Sequence, residues 1–187
     1  MSTHLPRATL DDLMKVDGKA ELINGRIVRF MPSGFLPGHV ARRITRSLED
    51  YVAVGGRGEP VADPVEYGFD PPLPSGRQSL CPDSSFYTGV LPPKHMGYID
   101  GAPTFAAEVR SENDYGPQAE REMAENRRDY FAAGTLVVWD VDLLGDDVIK
   151  VYRATDPTNP TIYRRGEIAE AEPAVPGWRM SVDELFV

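Results

Sequence analysis

The stretch TFAAEVRSENDYGPQAEREMAENRRDYFAAGTLVVW, residues 104–139, predicts a buried strand ending in Glu108, a loop, an amphipathic helix and a second buried strand. Gly134 is expected to close the helix, because glycine readily adopts the positive φ found where helices end. The apolar run 136–141 is typical of a strand that is buried on both faces of a sheet. With the elements around it, this unit predicts an α/β fold in which helices flank a mixed central β-sheet.

Glu108 occupies an unusual place for a carboxylate, at the end of a largely apolar strand. Side chains alternate along a strand, so Glu108 shares its face with Ala106 and Arg110. Burying an ionised carboxylate is costly unless a cation or hydrogen-bond donors meet it. The sequence therefore predicts that Glu108 is either a metal ligand or one half of an ion pair with Arg110.

A second carboxylate, Asp83, lies in a predicted strand over 79–87, where alternation places it on one face with Cys81 and Ser85. If the two strands are neighbours, Asp83 and Glu108 converge, and converging carboxylates repel unless positive charge lies between them. Magnesium supplies such charge, usually taking one or two carboxylates and leaving its other positions to water and phosphate. We therefore expect a Mg²⁺ site, which Mn²⁺ can also fill, with Asp83 and Glu108 as its ligands.

Short local motifs predict the remaining elements. Thr9 caps a short helix over 9–16, and Asn24-Gly25 supplies the positive-φ turn of a hairpin over 21–30. Asp114 is expected to cap the helix that follows it. The other predicted elements are a helix over 39–54, a strand over 59–69, and a hairpin made of 148–153 and 161–165.

The helix predicted over 39–54 carries a basic face, formed at i, i+3, i+4 and i+7 by His39, Arg42, Arg43 and Arg46. One interpretation is a solvated helix face, the commoner role for any single arginine. The other is a ridge that contacts nucleic-acid phosphates. The formal net charge of −9 opposes tight non-specific DNA binding, which draws on many lysine and arginine contacts. DNA binding would therefore depend on this local patch and on a bound metal ion.

The length of 187 residues suits a single domain, 1–187, that can bury about 70% of its unfolded surface. The single cysteine, Cys81, excludes an internal disulfide framework and is typical of a reducing compartment. No apolar run approaches the length that spans a bilayer, and residues 1–12 lack the apolar core of a signal peptide. These features predict a cytoplasmic protein without membrane contact. His95, in the loop 89–103, is expected to be a surface histidine.

Four runs in order resemble the Uma-type restriction endonuclease family of the PD-(D/E)XK nuclease superfamily: ELINGRIV (21–28), CPDSSF (81–86), TFAAEVRS (104–111) and RRDYFAAGTLVVWDVD (127–142). The resemblance extends from about Leu10 to the end of the chain. It implies a restriction-endonuclease-like core with Asp83 as the central metal aspartate and Glu108 as the second acidic ligand. It also implies that Glu21 lies near the metal, that His39 begins the next helix, and that two copies form a homodimer. A plain surface carboxylate in a structural hairpin is the alternative for Glu21.

The sequence departs from this family at the lysine expected near the attacking water. The resemblance places that lysine in the helix, one turn before Tyr130, where this chain has Asn126. Asn126 lies on a helical stripe with Met123 and Tyr130 that faces the sheet, so it is predicted to point inward. Asparagine can orient a water molecule but carries no charge, and Arg110 can support a phosphate but accepts protons poorly.

Three functions are consistent with the sequence. The first is Mg²⁺-dependent hydrolysis of DNA phosphodiester bonds, with Asp83, Glu108 and a third acid, Glu21, at the metal, and with Arg110 and Asn126 supporting phosphate and water. The second is a nuclease-fold protein that has lost cleavage and serves as a binding or assembly module, which the asparagine and the net charge favour. The third is hydrolysis of an uncharged substrate such as a glycoside by paired carboxylates, although the aromatic-rich cleft of such enzymes is not indicated.

Overall fold

The computed structural model describes residues 7–93, 96–146 and 148–186, and the predicted surface residue His95 lies outside them. This part of the chain contains three α-helices, one 3₁₀ helix and thirteen strands. The helices are α1 (Leu10–Leu13), α2 (Phe35–Ala53) and α3 (Pro117–Ala133), and the 3₁₀ helix covers Val182–Leu185. The strands are β1 (Ala20–Ile23), β2 (Arg26–Arg29), β3 (Glu59–Ala62), β4 (Tyr67–Gly68), β5 (Ser79–Leu80), β6 (Ser84–Tyr87), β7 (Ile99–Asp100), β8 (Phe105–Val109), β9 (Val137–Val141), β10 (Ile149–Arg153), β11 (Asp156–Tyr163), β12 (Ile168–Glu170) and β13 (Arg179–Ser181).

Six of the described strands form a mixed central sheet in the order β11-β10-β9-β8-β6-β3. β8 and β9 run parallel, because α3 carries the chain back between them, and the other neighbouring pairs are antiparallel. The prediction of an α/β fold with a mixed central sheet is therefore confirmed. Of the helices in the described ranges, none has the length and apolar character that crossing a bilayer requires.

Two helices cover the central sheet, one on each face. α2 places Ile44 in a core with Phe105, whereas α3 places Tyr130 in a separate core with Ala106. Phe105 and Ala106 are neighbours in β8, so the pleat turns them to opposite faces. Glu108 lies two positions after Ala106 in β8, so its side chain points to the same face, which α3 covers.

Two tryptophans anchor the core on the α2 side. Trp139 in β9 is fully buried, and its ring stacks on that of Trp178 with the centroids 4.9 Å apart. Phe105 meets both rings, edge-on to Trp139 at 5.3 Å. The segment that follows β12 is thus packed back on the sheet.

Local motifs produced the predicted structure at the start of the chain. Thr9 caps α1 in a reciprocal capping box with Asp12. The β1–β2 hairpin turns at Asn24 and Gly25, whose φ angles are 53° and 70°, as a two-residue connection of this kind requires. At the other end of the chain, the predicted hairpin is formed by β10 and β11, with β11 beginning earlier than expected at Asp156.

The prediction of one continuous strand over 79–87 is wrong. β5 belongs to a three-stranded sheet with β4 and β7, and β6 belongs to the central sheet. Pro82 lies in the gap and has no N–H for a ladder hydrogen bond. The strand predicted over 59–69 is likewise divided, into β3 and β4, at Pro64. Asp83 therefore stands just outside the central sheet, at the point where the chain enters it.

Two helix starts also differ from prediction. α2 begins at Phe35, ahead of the predicted 39, because Pro37 falls in the first turn, where backbone N–H groups need no intrahelical partner. Asp114 does not cap α3. The N-cap residue of α3 is Gly116. The Asp114 carboxylate instead accepts the backbone N–H of Ser111 at 2.6 Å.

Candidate active site

The five residues predicted to take part in catalysis line a single cleft of about 950 Å³. Its walls come from the β1–β2 hairpin, the segment before β6, the end of β8 and the helix α3. The five residues are Glu21, Asp83, Glu108, Arg110 and Asn126. The structure thus gathers side chains that are up to about a hundred positions apart in the sequence.

Asp83 is held on both of its carboxylate oxygens. The register of β6 against β8 places it level with Glu108. Oδ2 accepts the backbone N–H of Val109 at 2.8 Å, and Oδ1 accepts the Lys19 ammonium at 2.6 Å. The Asp83 side chain therefore continues the pairing of β6 with β8 where the backbone ladder ends.

Glu108 is oriented by two groups from α3. Its Oε1 accepts the Tyr130 hydroxyl at 2.6 Å and the Asn126 side-chain amide at 3.2 Å. Burial, reinforced by the nearby Asp83 carboxylate, raises the pKa of Glu108 above its usual range. Asp83 accepts the N–H of Val109, the residue after Glu108, and both acids line one cleft, so they converge as strand alternation predicted.

Lys19 is a site residue that the sequence analysis did not predict. It directly precedes β1, and its ammonium lies 2.6 Å from Asp83 Oδ1 and 3.5 Å from Asp63 Oδ1. Burial alone would lower the pKa of Lys19, but the carboxylates of Asp83, Glu108 and Asp63 together outweigh it and raise that pKa. The sequence pattern that could have placed Lys19 in the site is its spacing from Glu21. The two residues are two positions apart, so their side chains point to the same side of the strand.

Glu21 is buried, so the alternative of a surface carboxylate is wrong. It is ion-paired with Arg77 and accepts the backbone N–H of Cys81 at 3.2 Å. Arg77 in turn donates through Nε to Asp129 of α3 at 2.8 Å. Glu21 therefore ties the hairpin to the segment that leads to Asp83 and, through Arg77, to α3.

Arg110 does not pair with Glu108, which removes the ion-pair alternative for that acid. Its guanidinium donates to both oxygens of Asp140, at 2.7 and 2.8 Å, and also pairs with Glu120. The Arg110 and Asp140 side chains are 2% and 1% exposed. Arg110 thus lies in the cleft wall as part of a buried ion pair that joins β8 to β9.

The basic face of α2 is divided between two surroundings. Arg42 and Arg46 line a second cleft, of about 540 Å³, which Asp83 also borders. His39 instead accepts a hydrogen bond from Arg43 Nε at 2.9 Å, and Arg43 donates to the backbone carbonyl of Glu184 at 2.8 Å. Arg42 and Arg46 therefore share a cleft with Asp83, whereas His39 and Arg43 contact each other near the 3₁₀ helix.

The donor set fits a magnesium ion held by few protein ligands. Within the described ranges, no group of three or more His, Cys, Asp or Glu side chains is arranged to hold a metal. Magnesium needs no such group, since it usually takes one or two carboxylates and keeps water or phosphate at its other positions. Asp83 and Glu108 supply two hard oxygen donors on one cleft wall.

Glu66, buried just before β4, contributes to the pH dependence of the protein's stability. Burial raises the pKa of Glu66 to about 7, against hydrogen bonds from Ser79 and Cys81 that lower it. The unfolded chain loses this proton near 4.5, the ordinary value, before the folded protein does. The free energy of unfolding therefore falls as pH rises between these values, by roughly 3 kcal/mol in total.

Replacing Glu66 with Gln is expected to remove the part of that decline that Glu66 causes. Glu66→Gln should exceed the wild type in stability by roughly 2 to 3 kcal/mol at about pH 8 and show no such gain at about pH 4. Urea unfolding at both pH values measures the difference, with Glu59→Gln as the exposed control. A Glu66→Gln difference from wild type that is equal at the two pH values would contradict the role of Glu66.

The six-stranded mixed sheet with a helix on each face defines an α/β protein with a restriction-endonuclease-like core. The chain belongs to the Uma2 family, whose model, described as "Putative restriction endonuclease", matches residues 8–183.

A solved structure shares the fold. It is titled "Crystal structure of a putative nuclease belonging to DUF820" and comes from Anabaena variabilis. The similarity covers 95% of this chain and 97% of that one, with 20% sequence identity and a TM-score of 0.70. No curated protein matches the sequence. At this identity, the similarity establishes the fold alone.

Proposed function

We propose that the protein is a Mg²⁺-dependent endonuclease of the PD-(D/E)XK type that hydrolyses DNA phosphodiester bonds. The observation that carries this proposal is the convergence of Asp83 and Glu108 in one cleft, where the Lys19 ammonium pairs with Asp83. Membership of a family described as restriction endonucleases supports it, as does a structural neighbour titled as a nuclease.

Each site residue has a part in this proposal. Asp83 and Glu108 would hold the ion, which when bound lowers the pKa of a water molecule and neutralises charge on the phosphate. Tyr130 and Asn126 fix the direction of the Glu108 carboxylate. The side-chain oxygen of Asn126 is buried in the cleft wall and has no hydrogen-bond partner among the described residues. It is therefore free to accept a hydrogen bond from a water molecule and orient it.

DNA is the proposed substrate despite the net charge of −9. Arg42 and Arg46 border the second cleft, which shares Asp83 with the first. The two guanidinium groups lie in a cleft that also contains Glu49, Asp63 and Asp83, and in this proposal they contact the phosphate backbone. Two copies would place one site at each strand of a duplex, so a homodimer belongs to the same proposal, as does a cytoplasmic location.

The test is cleavage of supercoiled plasmid and of single-stranded DNA in Mg²⁺ or Mn²⁺. The wild type is expected to cleave, and EDTA to stop it. Glu108→Gln should be about 100-fold slower, because one anionic ligand is lost. Glu59→Gln, on the exposed edge strand β3, should match the wild type.

A binding or assembly module without cleavage is the second candidate. It is favoured by the ion pair between Lys19 and Asp83, which neutralises one candidate ligand without a metal. This candidate predicts no cleavage in either metal and no Mg²⁺ binding by calorimetry. That combined result would replace the endonuclease proposal.

A further inference from the structure

Lys19 differs from the other basic residues of the main cleft in what it contacts. Arg77 is engaged by Glu21 and Asp129, and Arg110 by Asp140 and Glu120. Lys19 instead pairs with Asp83, one of the two proposed metal ligands. Its charge therefore acts directly at the acidic pair.

The geometry of Lys19 suits a cation that can change partners. Its side chain is 19% exposed, and its ammonium is shared between Asp83 and the more exposed Asp63. Lysine carries a compact charge on a flexible four-carbon stem, whereas arginine presents a rigid planar fork. The ammonium of Lys19 and a divalent ion would compete for the same oxygen, Oδ1 of Asp83.

We propose that Lys19 is the phosphate-binding cation of this active site: it neutralises Asp83 in the metal-free protein and moves to the scissile phosphate when Asp83 holds a divalent ion. This inference rests on the proposed endonuclease function. Asn126 provides no positive charge, and the inference assigns that charge to Lys19, the residue before the N-terminal hairpin. Lys19 contacts Asp83, whereas α3 contacts Glu108 through Asn126 and Tyr130. A charged hydrogen bond from an ammonium to a phosphate oxygen is among the stronger polar contacts in proteins.

Three measurements on Lys19→Gln test the proposal, with Lys15→Gln, an exposed lysine, as the matched control. The first is the affinity for Mn²⁺ alone, by calorimetry. Lys19→Gln should bind Mn²⁺ about 10-fold more tightly, because a competing cation is gone. A lysine that only orients the Asp83 carboxylate would give the opposite result, since its loss would weaken Mn²⁺ binding.

The second measurement is the affinity for a short fluorescent single-stranded oligodeoxynucleotide in Ca²⁺. Lys19→Gln should bind it about 10-fold more weakly, owing to one lost phosphate contact. The third is single-turnover cleavage at saturating Mg²⁺, which should fall about 100-fold. Lys15→Gln should match the wild type in all three.

Asn126→Lys supplies the complementary test. Asn126 Nδ2 lies 3.2 Å from Glu108 Oε1, so a lysine there would place its charge at the same acidic pair. In the Lys19→Gln background, Asn126→Lys should recover at least about 10-fold of the lost cleavage. If Lys19→Gln is poorly folded by thermal unfolding, Lys19→Arg replaces it and should keep oligonucleotide binding within about 3-fold of the wild type, since its charge is retained.

The outcomes separate this inference from the endonuclease proposal. If the wild type cleaves no DNA, the endonuclease proposal is wrong. The proposed role of Lys19 is then tested by the two binding measurements alone. Unchanged or weaker Mn²⁺ binding by Lys19→Gln overturns the competition for Asp83. Unchanged oligonucleotide binding overturns the phosphate contact, whatever the cleavage result.

Discussion

Replacing Asp83 with Asn is expected to lower metal-dependent DNA cleavage at least roughly 1000-fold, the largest catalytic effect of any single change in the cleft. Asp83 meets three requirements at once. It is a candidate metal ligand, it balances Lys19, and it borders both clefts. An asparagine keeps the shape and can still accept the Val109 N–H, but it lacks the charge. Initial rates of plasmid cleavage in Mg²⁺ and Mn²⁺ measure the effect.

Asp100→Asn is the matched control for this change. Asp100 is an exposed aspartate in β7 and lies outside both clefts. It should cleave as the wild type does. Asp83→Asn should also lose about 1 to 3 kcal/mol of stability, because Lys19 is left partly buried without its closest partner. Cleavage by a folded Asp83→Asn within about 10-fold of the wild type would rule out Asp83 as a metal ligand.

Arg110→Met is expected to give the largest loss of stability, about 3 to 5 kcal/mol. The change leaves buried Asp140 with Arg127, at 3.3 Å, as its remaining ion-pair partner among the described residues. Breaking one side of a buried pair leaves an uncompensated charge, which costs far more than an intact pair contributes. Urea unfolding measures the loss, and Arg128→Met, on the exposed side of α3, should change stability by less than about 1 kcal/mol.

The same variant decides whether Arg110 also touches substrate. Cleavage by folded Arg110→Met should fall if the guanidinium supports the phosphate, as its strand position predicted, and should persist if the ion pair is its whole role. Arg110→Met/Asp140→Leu should recover part of the lost stability, since it removes both buried charges. A loss of less than about 1 kcal/mol in the single variant would contradict the importance of the pair.

Features set by local chemistry were predictable from the sequence. The β1–β2 turn follows from Asn24-Gly25, the α1 cap from Thr9, and the end of α3 from Gly134, because each depends on the conformational range of a few neighbouring residues. The strand–helix–strand unit follows from hydrophobic periodicity. The alternation of side chains along β8 was sufficient to place Glu108 on the sheet face that α3 covers.

Features set by distant contacts were not predictable. Lys19 meets Asp83 across 64 positions, and Arg110 meets Asp140 across 30. Alternation also runs unbroken through 79–87, so it could not show that the chain leaves one sheet and enters another at Pro82. In each case the partner is chosen by how separate segments pack, a property that no single window of sequence contains.

The stacked pair Trp139 and Trp178 has a spectroscopic consequence. These are the only two tryptophans in the sequence, and their rings lie 4.9 Å apart in the core on the α2 side of the sheet, away from the acidic cleft. Indoles this close couple their electronic transitions, so the folded protein should give an exciton couplet in its circular dichroism. That signal reports whether the core is intact, and metal or DNA added to the cleft should leave it unchanged.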